Sequence, residues 1–152
     1  ELGTGLLLAL SFFLLMMVGL ASGNDKDQVD LSSYQGKNRI LVVFSSSETN
    51  LMYKSFKIQL LRLDQEIRNR DILIIYVFES GDGWLGCLQL NREQALLLRK
   101  RFSINMGQSA LFLIGKDGEV KLQKQLPVDL SDVFSIIDAM PMRQREIRER
   151  SE

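Results

Sequence analysis

Four stretches of the chain are continuous runs of apolar residues, and the spacing of apolar positions between them predicts most of the remaining elements. The first run, residues 5–21 (GLLLALSFFLLMMVGLA), holds no charge and one polar side chain, Ser11. It is too apolar for one face of a soluble helix, and slightly short of the about 20 residues that a membrane span needs. It gives way to Ala21-Ser22-Gly23 and then to polar NDKDQVD. An apolar run ending in a small-x-small site predicts a secretory signal peptide over residues 1–23, cleaved before Asn24, with an uncleaved N-terminal anchor as the alternative. Residues 24–38 read as a polar lead-in with scattered Val29, Leu31 and Tyr34.

The pattern then changes to that of an α/β domain, expected over residues 39–142. Residues 39–44 (RILVVF) are a β-branched apolar run, as in a strand buried on both faces. Residues 45–50 (SSSETN) are turn-prone and rich in helix-capping side chains. Tyr53, Phe56, Leu60, Leu63 and Ile67 recur at steps of three and four, which predicts one amphipathic helix ending near Asn69. Residues 71–78 (DILIIYVF) are a second buried strand, so the first three elements should form a right-handed parallel unit. Residues 79–86 (ESGDGWLG) read as a Gly-rich excursion. Asn91, with Gln94 three residues on, caps a second helix running to about Phe102. Residues 110–114 (ALFLI) are a third strand, and Asp117-Gly118 turns the chain into an antiparallel strand over residues 119–123 that Pro127 stops. Leu130, Val133, Phe134, Ile137 and Met140 mark a third helix that Pro141 ends. Residues 143–152 form a charged tail with opposite signs three and four apart, as on a solvated helix face. The order is β-α-β-α-β-β-α, and it predicts a four-stranded mixed sheet with flanking helices.

Charge and composition narrow the chemistry. The 152 residues hold 19 basic and 19 acidic side chains, one cysteine and no histidine. A balance this even gives no electrostatic reason to bind nucleic acid. Without histidine these residues cannot assemble a Ser-His-Asp or Cys-His site. A lone cysteine makes no internal disulfide, CxxC pair or cysteine-based zinc cage. The acidic residues are scattered, and GDGW lacks the calcium-loop pattern, so neither a metal nor a cofactor is expected.

The segment LIGKDGEVK at residues 113–121, followed by IDAMPMR at residues 137–143, resembles a thioredoxin-like family catalogued as domain of unknown function 4174. The resemblance covers roughly residues 30–150. It rests on Lys116, Asp117, Gly118, Lys121, Asp138, Met140, Pro141, Met142 and Arg143, and the Lys37-Asn38-Arg39 entry to the first strand fits it. The same domain type occurs in sushi-repeat and other extracellular matrix proteins, and a peroxiredoxin-like ancestry has been suggested for it. What the resemblance implies is a thioredoxin-like fold and an exported, periplasmic or extracellular location, with no established activity. That fold keeps its redox pair after the first strand, at the start of the first helix. The corresponding residues here are Thr49 and Met52, so disulfide exchange by that route is absent. The proline that the fold usually carries before its third strand is replaced by Ala110.

Four groups of residues are candidates for chemistry. Ser45, Ser46, Ser47 and Thr49 have the composition of a loop and N-cap. Cys87 lies four residues before the helix cap Asn91; it is either a thiol activated by the helix start or a structural cysteine. Trp84 between glycines is either a binding anchor or packing over a sheet edge. Asp138 near a helix C-terminus calls for a cationic partner, Arg143 or Lys121, which makes the IDAMPMR segment a structural clasp or a recognition surface. The expectation is therefore an exported, non-catalytic binding module with an unidentified protein or small-molecule partner, touching membrane only through residues 1–23 if these stay attached. The alternative is a single-cysteine thiol or peroxide enzyme using Cys87.

Overall fold

The computed structural model describes residues 28–80 and 82–152. The expected signal peptide and the first part of the lead-in lie outside the described residues, and among these no helix is long and apolar enough to cross a membrane.

Strand β1, Arg39–Ser45, lies in the middle of the sheet and is buried along its whole length. It pairs in parallel with β2, Ile72–Phe78, and antiparallel with β5, Ala110–Ile114. Alternation along these strands builds two cores. Leu41 and Val43 face one side with Leu111 and Leu113, under helices α1, Leu51–Arg62, α2, Asp64–Asn69, and α4, Leu130–Asp138. Ile40, Val42 and Phe44 face the other side with Ile75, Val77 and Phe112, under α3, Arg92–Arg101, and the N-terminal Val29 and Leu31. A strand buried on both faces has no solvated side for polar groups, which is why residues 40–44 are an unbroken apolar run, with the buried polar residues Arg39 and Ser45 only at its ends.

The sheet has six strands, not the expected four: with β3, Gly83–Leu85, β4, Leu88–Leu90, and β6, Val120–Gln125, the order is β4-β3-β2-β1-β5-β6. The Gly-rich excursion folds into the β3–β4 hairpin, which extends the sheet beyond β2. Gly83 makes this possible. A β-carbon there would stand 2.8 Å from the Tyr76 carbonyl oxygen and 3.2 Å from the Leu90 β-carbon. Gly83→Ala should therefore loosen the hairpin at a cost of about 1–3 kcal/mol. Faster amide exchange at Leu85 and Leu90, with the central strands unchanged, would register it; unchanged exchange would show that the backbones tolerate the methyl group.

Three helix boundaries also differ from expectation. The first helix is interrupted at Leu63 (φ −107°, ψ 24°), and the turn lets both Leu60 and Ile67 reach the same core. The helix after β6 stops at Asp138, before Met140. Pro141 does not end it but begins the next one, α5, Pro141–Ser151, where a first-turn proline loses no hydrogen bond. The tail is thus helical, and one side of it is buried at Arg143.

Candidate functional site

The end of the sheet where a thioredoxin-like fold keeps its redox pair holds hydroxyls and amides. Asn50 is the N-cap of α1, accepting from the Met52 and Tyr53 amides at 2.9 and 3.3 Å. Thr49 lies in the exposed loop before it, 2.9 Å from the Ser47 hydroxyl, and Met52 is in the exposed first turn. Ser45 is fully buried at the end of β1, and the Asn50 side chain donates to the Ser46 hydroxyl. Behind this loop Arg99, almost fully buried on α3, donates to Glu79 Oε1 and to the Asn105 carbonyl, both at 2.8 Å. The positions expected to be vacant of thiols are thus a capped helix start backed by an ion pair, with no nucleophile beside a base.

Cys87 is exposed in the turn joining β3 to β4. The neighbouring Gly86 amide bonds to the Ile74 carbonyl, near the start of β2, whereas the Thr49 loop follows the end of β1, where Ser45 pairs with Phe78. The thiol therefore stands at the outer edge of the sheet and toward its opposite end. It is separated from the α3 cap Asn91 by β4, so the four-residue spacing in sequence does not bring it to the helix start. Trp84, on the same hairpin, is half-buried opposite Tyr76 and Gln89.

The expected signature residues do converge, at the end of the sheet away from the Thr49 loop. Asp138 sits at the C-terminus of α4, where the helix dipole disfavours a carboxylate. It is met by Arg70 at 2.6 Å and Arg143 at 3.3 Å. Burial by itself would raise the Asp138 carboxyl, but the hydrogen bonds from Arg70 and then Arg143 outweigh it and hold it below the usual range. Arg70 also lies over the Phe134 ring, 4.4 Å from its centre. Lys121 is not a partner of Asp138. It pairs with Asp117 at 2.5 Å and Glu119 at 2.8 Å across the β5–β6 turn, and its ammonium lowers the Asp117 carboxyl.

Five residues that sequence reasoning did not link to this site complete the network: Arg39, Arg70, Asp71, Glu146 and Arg150. Glu146 on α5 accepts both Nη groups of Arg39 at 3.0 and 3.1 Å, the Lys116 ammonium at 2.8 Å and Arg143 at 3.3 Å. Lys116 also reaches Asp71, 2.8 Å away, which Arg150 flanks. The first residue of β1, the start of β2, the end of β5 and both C-terminal helices are thereby tied through charged groups. Arg143 and Arg150 donate to the Asn69 carbonyl, the exposed C-terminal end of α2, where cations are favoured. These charged groups clasp the IDAMPMR segment, through Asp138 and Arg143, to the end of α2 and the sheet.

The clasp has an open side. A groove of about 390 Å³ lies between the β5–β6 turn and the elbow of α4 and α5. Lys116, Asp117, Lys121, Met140, Pro141 and Met142 all line it, together with Arg39. Gly118 (φ +85°) shapes the turn at its rim, and Asp138 and Arg143 lie outside the lining. The groove offers apolar walls and fixed cations, suited to holding a ligand, and no nucleophile. Among the described residues no group of acidic residues or cysteines is placed to hold a metal ion.

The fold is similar to that of peroxiredoxins of known structure. The reduced 2-Cys peroxiredoxin of Plasmodium vivax is 16% identical, with a TM-score of 0.61 over 77% of this chain and 85% of that one. Thioredoxin peroxidase I of Plasmodium yoelii is also 16% identical, with a TM-score of 0.58 over 77% of this chain and 80% of that one. AhpC of Mycobacterium tuberculosis is 12% identical, with a TM-score of 0.52 over 76% of this chain and 72% of that one. At such identities the likeness shows a thioredoxin-like fold and nothing of the reaction. No curated protein matches the chain by sequence. The model of the family described as Domain of unknown function (DUF4174) matches residues 30–146, from the turn that precedes β1 to the carboxylate at the centre of the clasp, and the chain belongs to that family.

Proposed function

We propose that this protein is an exported binding module of thioredoxin-like fold that carries out no thiol chemistry and engages a protein or small molecule at the groove beside the α4–α5 elbow. One observation carries the reading. The redox end of the fold holds Thr49 and Met52, while the one thiol, Cys87, stands on an edge hairpin at the other end of the sheet. A thiolate needs a helix N-terminus or a cation beside it to act as a nucleophile at neutral pH, and no hydrogen bond or ion pair reaches the Cys87 side chain among the described residues. The groove supplies the second half of the argument, since Lys116, Asp117, Lys121, Met140, Pro141 and Met142, six of the nine residues that carry the family resemblance, line it. The rival reading, a peroxide-consuming thiol enzyme, rests on likeness of fold, which is a weak warrant for chemistry.

The test is direct. The wild-type protein and Cys87→Ala are assayed for consumption of hydrogen peroxide and for reduction of a disulfide substrate. Neither should turn over. Peroxide consumption present in the wild type and lost in Cys87→Ala would overturn the binding reading in favour of the thiol enzyme. Export rests on the apolar run at residues 5–21 and its small-x-small end. Mass spectrometry of the secreted protein should find Asn24 at its N-terminus, and an intact apolar run would show an anchor instead. The even charge balance leaves nucleic acid outside the proposed partners.

A further inference from the structure

We propose that the groove beside the α4–α5 elbow is a site for an aliphatic carboxylate, its head held at the opening turn of α5 and its tail laid along the methionine wall. This rests on the binding-module reading and names the class of ligand. Three features of the groove converge on it.

The first is the start of α5, an 11-residue helix whose N-cap, Met140, offers no side-chain acceptor. Pro141 has no N–H, so the amides of Met142 and Arg143 open the helix without a capping side chain. These are the groups that bind anions at a helix N-terminus, with the positive end of the helix dipole behind them. Met140, Pro141 and Met142 all line the groove, so this helix end faces the cavity rather than bulk protein.

The second feature is independent of the helix. Arg39 lines the same groove and is only 1% exposed. Its Nη groups are taken by Glu146 and the Arg70 carbonyl, but its Nε is buried with no acceptor. A buried N–H donor left unpaired is costly, and such groups mark places where an acceptor is missing. Lys116, also in the lining, donates to Asp71 and Glu146 and has a third N–H in hand. The acidic lining residue, Asp117, is paired with Lys121, which it shares with Glu119.

The third feature selects the rest of the ligand. Ile136, Ala139 and the two methionines make the far wall apolar. Methionine adapts to irregular aliphatic shapes at little cost. The cavity, about 390 Å³, lies at the small end of the range for small-molecule sites, which suits a chain of about eight carbons. A highly charged phosphate would leave this wall unused, whereas a singly charged carboxylate on an alkyl chain uses both halves.

Sodium octanoate, 1-octanol and sodium acetate are the probes, titrated into the ¹⁵N-labelled full chain and followed amide by amide. Octanoate should give saturable shifts at Met142, Arg143 and Lys116, with affinity about ten-fold above that of either octanol or acetate, since each lacks one half of the recognition. Met142→Glu places a fixed carboxylate at a helix start that tolerates one, and should weaken octanoate about ten-fold while the fold persists. Absence of shifts at these amides would overturn the proposal. So would octanol binding as well as octanoate, which reduces the groove to an apolar hollow, or acetate binding as well, which leaves the methionine wall idle. The wild-type comparison of the three probes stands even if the variant fails to fold. Peroxide turnover by Cys87 would sink the binding-module reading with the shifts intact, whereas missing shifts in a protein without turnover would sink only the ligand class.

Discussion

Replacing Glu146 with leucine is expected to destabilise the protein by about 3–5 kcal/mol, the loss seen when one member of a buried ion pair is removed. Its partners are more deeply buried than it is. The Arg39 side chain is 1% exposed and that of Lys116 9%, against 16% for Glu146. Leucine would leave the guanidinium of Arg39 with only the Arg70 carbonyl. The loss therefore comes from stranding a charge, not from losing an attraction, and this can be separated by experiment. The double variant Glu146→Leu with Arg39→Met removes the stranded charge and should recover a large part of the loss, because apolar groups of similar volume replace buried pairs well. Urea denaturation of the four proteins in the cycle measures it. A loss below about 1 kcal/mol in the single variant would place the pair among surface bridges and refute the clasp as a buried structure. The same carboxylate limits stability in acid. Burial on its own raises the Glu146 carboxyl, but hydrogen bonds from Arg39 and Lys116 outweigh it and hold it at about 2, against 4.5 for the free group. A depressed folded value means that the unfolded chain takes up the proton first. The contribution is whole above pH 4.5 and is lost as the pH falls toward about 2. Urea midpoints should fall across that window, more steeply in the wild type than in Glu146→Leu.

Phe44→Ala should cost about 3–5 kcal/mol at the other end of the same strand, for a different reason. Phe44 is fully buried, and its ring lies 5.5 Å from that of Phe102 and 5.7 Å from that of Phe112, edge-on to the latter. Phe102 and Phe112 are themselves 4.8 Å apart, so removing Phe44 takes one corner from a triangle of rings. The sheet backbone on one side and α3 on the other hold that space open, which leaves a cavity the surroundings cannot fill. Phe44→Leu should cost less than half as much, since most of the volume remains. Thermal melts of the pair would check it. An alanine variant losing under about 2 kcal/mol would mean that α3 settles onto the sheet instead of standing off it.

The central strands and most helices were legible in the residues because each has a period or an unbroken run to betray it. Strands β1 and β5 are buried on both faces and β2 largely so, and a doubly buried strand writes itself as consecutive Ile, Val, Leu and Phe. The edge hairpin was not legible. Three-residue strands such as Trp84's and Leu88's have no period, and their glycines read as a loop until the close approach of Gly83 to Tyr76 is known. The charged clasp was half legible. Arg143 could be matched to Asp138 because the two are five residues apart, whereas Arg70 meets the same carboxylate across 68 residues and Arg39 meets Glu146 across 107. No local rule links such positions, and isolated charges in a mixed-sign segment read as solvated. Lys121 was a plausible partner for Asp138 by charge, but its nearest carboxylate is four residues back, across the turn. Thr49 lies in the loop before the first helix and Met52 in its first turn, a location that the end of β1 makes countable in the residues.

The position of β1 also dictates when this chain can begin to fold. Ile40 pairs with Leu73 on one side and with Ile114 on the other. The first partner arrives with the crossover helices, but the second is made only after the edge hairpin and α3. Until residues 110–114 emerge, this central, fully buried strand has one open edge, a row of unpaired amides and carbonyls flanked by Ile, Leu and Val. A nascent chain halted after α3 therefore presents a template for pairing with its neighbours, and closure by β5 is both the step that completes the sheet and the step that removes the hazard.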